Sequence, residues 1–285
     1  MPPTSVTFQC TRDPAEAKSW FGRLIADEPA LLSVIASVAD GVLADPAQYK
    51  DRRWWAGRDA SGQVVAAFMH TPPYPLHVAV ATPGQAVALA QQLAAERDSL
   101  PGVGGRSGPA EAFRDAWVRL TGSSARTIME VGAFDLPARP TLPFTVTGHY
   151  RLARPEELGL VDRWAQDFSD SVEHTPRKVN SLAHRVAAGR VGFWVDEGRP
   201  VSMAHASPAN GGVTRISGVW TPVELRGHGY ASAVVAALSA ERMDAGESCM
   251  LFTDLSNPTS NKIYQAMGYR RIGDDITIAF STPVE

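Results

Sequence analysis

Two stretches of this chain read as versions of each other: "GQVVAAFMHTPP" from Gly62 and "GRPVSMAHASPA" from Gly198. Each runs from a turn glycine through a strand-like apolar segment to a small polar residue and a proline, at a constant offset. "ATP" at Ala81 to Pro83 is echoed by "WTP" at Trp220 to Pro222. Two copies of one fold would constrain the chain strongly, because both must reach one architecture; the alternative is two unrelated α/β halves sharing a common strand-turn pattern. The 285 residues leave room for two domains of about 140 residues.

The wider pattern repeats too. In the first half, helices are expected over 14–29 and 29–44 and strands over 53–59, 63–71 and 76–82. A helix over 84–100, a weak strand near Val103, a helix over 109–122 and a strand over 125–136 follow. A Pro-rich link, Leu136 to Pro143, leads to the second half. There the order is a strand over 149–154, helices over 155–170 and 176–189, and strands over 191–197, 200–208 and 214–221. A helix from Gly229 to about Asp244, a strand over 248–255, a helix over 258–268 and a strand over 269–280 complete it. The division is into copies at 1–138 and 145–285.

The copies part just after the "TP" pairs. The second continues "VELRGHGYASAVVAALSA" and the first, shorter, "GQAVALAQQLAA". A core helix survives in both, marked in the second by Ala231, Val234, Val235 and Leu238 at helical spacing. Only the second keeps the glycines, so the fold does not need them. The order there is strand, tight loop, helix N-terminus. Such an N-terminus offers unpaired amides and a partial positive charge, and binds phosphate. Gly227 and Gly229 keep side chains away from those amides, Arg226 adds a charge, and Ser232 offers a hydroxyl. A nucleotide P-loop needs Gly-Lys-Ser/Thr, which is absent. A dinucleotide fingerprint needs a third glycine where Ser232 stands.

Arg226-Gly227-His228-Gly229-Tyr230-Ala231 resembles the Arg/Gln-x-x-Gly-x-Gly/Ala loop of the GNAT (Gcn5-related N-acetyltransferase) superfamily. "NPTSNKIYQAMGYRRIG", with Asn257, Tyr264, Gly268 and Tyr269, resembles its second signature, in the family's order and spacing. The resemblance covers about 145 to 282 and lies nearest the FR47-like branch; the first half resembles a degenerate copy without the loop. It implies an α/β (α+β) class: two tandem GNAT-like domains, each a mixed, mostly antiparallel twisted sheet flanked by helices. It implies acetyl-CoA as co-substrate, no metal, and direct transfer of the acetyl group to a primary amine of a small molecule or amino-acid-like acceptor. A longer acyl-CoA, or a non-catalytic acyl-CoA sensor, are the alternatives.

By the same resemblance the coenzyme is held by Val219, Trp220, Thr221, Arg226, Gly227, His228, Gly229, Tyr230, Ala231, Ser232, Asn257 and Tyr264. Tyr264 is the family's acid for the leaving thiolate; the other reading is a core tyrosine. Asn257 either holds the pantetheine arm or caps the helix opening at Pro258. The family's strand carboxylate is missing from "TRISGVWT". The base is therefore sought among Asp254, Glu173, His174 and His205, or in a water chain. Glu224 and His228 read as loop residues, and Cys249, Trp54, Trp55, Trp164 and Trp194 as core. Trp164 with Phe168 has an acceptor-lining alternative.

A net charge of -3 without a basic patch argues against a nucleic-acid partner. The apolar runs are too short to span a bilayer, and no basic-then-apolar leader opens the sequence. Two distant cysteines match no metal spacing. A cytoplasmic protein, monomer or homodimer, without membrane or nucleic-acid partners is expected.

Overall fold

The computed structural model describes residues 6–47, 49–172 and 179–281. The chain forms two compact units. The first contains β1 (Thr7–Thr11), α1 (Pro14–Asp27), α2 (Ser33–Ala44), β2 (Arg53–Arg58), β3 (Val64–His70), β4 (Leu76–Val80), α3 (Pro83–Ala95), β5 (Gly102–Arg106) and α4 (Ser107–Thr121). β6 (Ser124–Leu136) contributes its residues up to Ala133 to this unit and the rest to the second. The second contains β7 (His149–Leu152), α5 (Leu158–Val172), α6 (Ala183–Ala187), β8 (Val191–Asp196), β9 (Arg199–Ala206), β10 (Val213–Trp220), α7 (Tyr230–Asp244), β11 (Ser248–Asp254) and α8 (Pro258–Ala266). β12 (Arg270–Ser281) follows, and its described residues from Gly273 onward group with the first unit. The order of elements is the same in both halves. β1 is the one element of the first half that periodicity did not mark.

In the first unit the strands run in the order β1-β2-β3-β4-β5-β12, and in the second β11-β10-β9-β8-β7. Pairing is antiparallel except β4 with β5 and β10 with β11. Each sheet is covered on both faces. In the first unit α1 and α2 bury Phe21, Ile35 and Trp54 on one side, while α3 and α4 bury Leu89, Phe113 and Trp55 on the other. In the second, Val161 and Trp164 of α5 pack on Phe193 and Met203, and Val234 and Leu238 of α7 on Ile216 and Leu251. The tryptophans and Cys249 are thus core or partly core residues. Trp164 lies edge-on to Phe193, with ring centroids 5.7 Å apart.

The repeat extends to its ion pairs. Arg53, opening β2, makes two hydrogen bonds to Asp98 after α3, at 2.5 and 3.0 Å. Arg190, just before β8, makes two to Glu247 after α7, at 2.5 and 3.1 Å. Each forked pair ties a strand start to the loop behind the long helix.

Two differences from the sequence reading have identifiable causes. The helix expected over 176–189 is the five-residue α6, and 179–182 is not helical; the part at 176–178 lies outside the described residues. Side chains of α5 take the amides a helix would use: Val179 N donates to Gln166 Oε1 and Leu182 N to Asp162 Oδ1, both at 2.8 Å. The C-terminal strand, assigned by sequence to 145–285, pairs from Asp275 to Ala279 with β5. β5 reads as weak because it is "GVGGR", yet those glycines admit β12. A Cβ on Gly102 would collide with the carbonyl of Ile278.

His70 is 1% exposed, and its Nε2 has no partner among the described residues. Burial, reinforced by the charge of Arg53, pushes its pKa down to about 4 from 6.5. Between these values the unfolded chain binds a proton that the folded chain refuses. The contribution, full above pH 6.5, is therefore lost as pH falls toward 4, up to about 3 kcal/mol. Thermal melts from pH 7 to 4 should show this slope, and His70→Gln should flatten it. An unchanged slope in the variant would assign it to other groups.

No helix among the described residues is long and apolar enough to cross a membrane.

Candidate functional site

The loop before α7 has the conformation its glycines allow. Gly227 (φ +86°) and Gly229 (φ +80°) are left-handed, a region that costs other L-residues roughly 1–2 kcal/mol. Gly229 is the N-cap of α7, and no side chain caps that helix. The amides of its first turn, from Gly229 to Ser232, have no carbonyl within the helix to bond. The same helix in the first unit ends differently. Thr82 caps α3, with Oγ1 accepting from Gln85 N at 3.3 Å and Gln85 Oε1 accepting from Thr82 N at 2.8 Å. One copy satisfies two amides at its helix start, those of Thr82 and Gln85, with its own side chains; in the other no described side chain caps the helix, which opens beside two glycines, where an anion fits.

The neighbouring side chains brace this loop. Arg226 donates through Nε to the carbonyl of Thr221 at 3.0 Å and lies over the ring of Trp220, 5.1 Å from its centroid. His228 stacks on Tyr230 at 5.4 Å, and its Nδ1 lies 3.0 Å from the carbonyl of Arg226. Tyr230 turns its hydroxyl to Asp196 Oδ2 at 2.5 Å, so the backbone amide is what it presents at the helix mouth. Ser232 is 2% exposed, and Glu224 sits in the exposed turn before the loop. Asp196 also accepts from Thr147 Oγ1 at 2.9 Å. The two hydroxyls hold its carboxyl below the usual range. Asp196 and Thr147 were not picked out in the sequence, where Asp196 falls inside the strand expected over 191–197.

A second feature lies on the strand leading in. β10 pairs with β11 from Val213↔Ser248 to Ile216↔Leu251, and there the ladder stops, though both strands continue. A bulge between Ser217 and Trp220 shifts the register against β9. Gly218 within it has φ +59°, and a Cβ there would collide with the imidazole of His205. Within and just after the bulge, Val219 packs with the α7 side and Trp220 with the α5 side. The carbonyl of Trp220 accepts from Ser202 at 3.1 Å, and Thr221 is 8% exposed. Ser217 to Trp220 is thus a strand edge without a β11 partner.

Tyr264, on α8, is half-buried, with its ring edge-on to Tyr269 at 6.0 Å. Burial pushes its pKa up to about 12, and its hydroxyl makes no hydrogen bond among the described residues. It therefore keeps its proton at neutral pH. Asn257 caps α8, accepting from Ser260 N at 3.1 Å. Ala231 lies in the first turn of α7.

The base candidates fare differently. His205 is buried, and its Nδ1 lies 2.6 Å from Arg185 Nη1 and 3.1 Å from Ser217 Oγ. With that lone pair facing a guanidinium, and burial followed by the charges of Arg185 and Arg215 acting against protonation, its pKa is far below the ordinary value. His205 wedges the bulge and is no base. Asp254 ends β11, accepts from Ser256 N at 2.8 Å, and groups with the first unit. Glu173 and His174 lie outside the described residues. Among the described residues no group of three or more His, Cys, Asp or Glu is placed to hold a metal ion.

Residues 191–277 match the model of the FR47-like protein family. No curated protein matches the chain by sequence. A Drosophila protein solved by structural genomics superposes with a TM-score of 0.68 at 12% identity, covering 97% of this chain and 99% of its own. A GCN5-related N-acetyltransferase from Sphaerobacter thermophilus superposes at 0.61 and 16% identity, covering 98% and 97%. A tandem GNAT protein from the clavulanic acid biosynthesis pathway superposes at 0.52 and 13% identity, covering 99% and 100%. Full-length coverage by a tandem protein accounts for the repeated order of elements. Over residues 191–277 the chain matches the FR47-like family model, and over its whole length it has the fold of a tandem GNAT protein.

Proposed function

We propose that the second half binds acetyl-CoA and transfers its acetyl group directly to a primary amine of a small molecule or amino-acid-like acceptor. The observation that carries this is the contrast between the open, two-glycine mouth of α7 and the self-capped start of α3. Acetyl-CoA supplies, when bound, an activated thioester as acyl donor. The chain's own residues do the rest. The amides from Gly227 to Ser232, with Arg226 beside them, grip the diphosphate. The unpaired edge from Ser217 to Trp220 and the following Thr221 receive the pantetheine arm, and a backbone amide there donates to the carbonyl oxygen on which charge builds. Asn257 is committed to capping α8, which leaves its side-chain amide for the arm. Tyr264 donates its phenolic proton to the departing sulfur. For the proton that the attacking ammonium must lose, Asp254 and Glu173 are the proposed acceptors, with water as the third route.

Calorimetric titration with acetyl-CoA should give one site per chain, since only one of the two helix mouths is open. Thiol release should then follow with some member of a panel of amines. Two sites per chain, or none, would remove the diphosphate reading. Binding without release on any amine would favour a coenzyme sensor.

A further inference from the structure

Phe144 is a large apolar side chain left 44% exposed, in the stretch between β6 and β7. It is not a loosely hung ring. Thr147, three residues on, donates to Asp196, and its carbonyl accepts from Trp194 Nε1 at 2.7 Å. The same Asp196 oxygen holds the hydroxyl of Tyr230, the first residue of α7. One carboxylate thus clasps the linker and the mouth of α7 together. The result is close contact. A Cβ built on Gly229 would lie 2.7 Å from Phe144 Cε2 and 3.1 Å from Val146 Cγ2. The edge of the Phe144 ring therefore rests against the backbone of the second loop glycine.

Resting on the diphosphate reading of that loop, we infer that Phe144 is the stacking platform for the adenine ring of the coenzyme. A diphosphate held at Gly229 carries the pantetheine arm on one side and adenosine on the other, by covalent connectivity. The arm leaves toward the gap between β10 and β11. In the strand order β11-β10-β9-β8-β7 the linker is fastened to β8, away from that gap. The adenosine is thus directed to the side where an exposed aromatic ring is anchored. A base stacked on an aromatic side chain gains enough that alanine substitution costs about 10-fold in affinity.

The test compares binding of acetyl-CoA with that of S-acetyl-4′-phosphopantetheine, which lacks the adenosine together with its 3′-phosphate and one phosphate of the diphosphate, in the full chain. Phe144→Ala should weaken acetyl-CoA about 10-fold and leave the truncated donor unchanged. Phe144→Trp should hold acetyl-CoA within about 2-fold of the parent, because it keeps a π-face. Melting curves check that both variants fold. Equal affinities for acetyl-CoA in parent and alanine variant would overturn the inference, as would equal losses for the two donors. Tighter binding by the alanine variant would also overturn it, making the ring an obstruction. A parent protein that binds no acetyl-CoA would instead sink the loop reading, and this inference with it.

Discussion

Replacing Gly227 with aspartate should cost acetyl-CoA affinity about 100-fold, while asparagine at the same place should cost little. Gly227 has φ +86°, and a Cβ built there meets nothing within 4 Å. Asn and Asp tolerate the left-handed region better than other residues with a side chain. Both variants should therefore fold, with the same small backbone strain. They differ by one negative charge beside the proposed seat of a diphosphate. At about 6 Å and an effective dielectric near 20, a pair of like charges repels by about 3 kcal/mol, which is the expected 100-fold. Part of this should vanish as salt is raised. Titration calorimetry on the two variants at low and high salt gives the answer. Matching affinities for aspartate and asparagine would place the diphosphate elsewhere. Gly229 is a less clean target, since any side chain there also pushes on Phe144.

Tyr264→Phe should lower turnover about 100-fold with acetyl-CoA affinity nearly unchanged, as expected when a proton donor acts only in the transition state. The hydroxyl has no partner among the described residues, so its removal strands no buried group. The ring contact with Tyr269 survives. The pH profile supplies a second readout. With a pKa pushed up to about 12, Tyr264 stays protonated through the ordinary assay range. The rate should rise with pH as the acceptor amine loses its proton, and Tyr264 should impose no fall below about pH 10. Full activity in the phenylalanine variant would take Tyr264 out of the chemistry.

Much of the architecture could be read from the chain because its signals are local. The strand-turn text at Gly62 and Gly198 repeats, and the elements on either side repeat with it. The loop glycines stood out as glycines at a helix mouth, and their φ values are left-handed. Other features resisted reading. β1 is a five-residue edge strand with one buried residue, too little for periodicity to register. The segment before α6 has helix-compatible composition, but Asp162 and Gln166 claim its amides across the bend. His205 looked like a base by residue type; only its surroundings show the lone pair set against Arg185. Phe144 and Asp196 carried no signal in the sequence; Phe144 meets Gly229 and Asp196 meets Tyr230, contacts that join parts of the chain far apart in sequence.

Sequence alone determined the repeated order of elements, most of the elements of each half, and the place where only the second half carries a two-glycine loop at a helix start. These follow from backbone preference and side-chain period, which act over a few residues. Tertiary structure alone decided that the last strand pairs with β5, that β10 and β11 part after Ile216 and Leu251, and that one carboxylate clasps linker to loop. Each depends on which surfaces fit once the elements exist: a glycine-rich strand that admits a neighbour, a bulge wedged by an imidazole, a hairpin acid within reach of two hydroxyls. No local rule encodes such a fit, because the free energy that selects it comes from partners brought together only by folding.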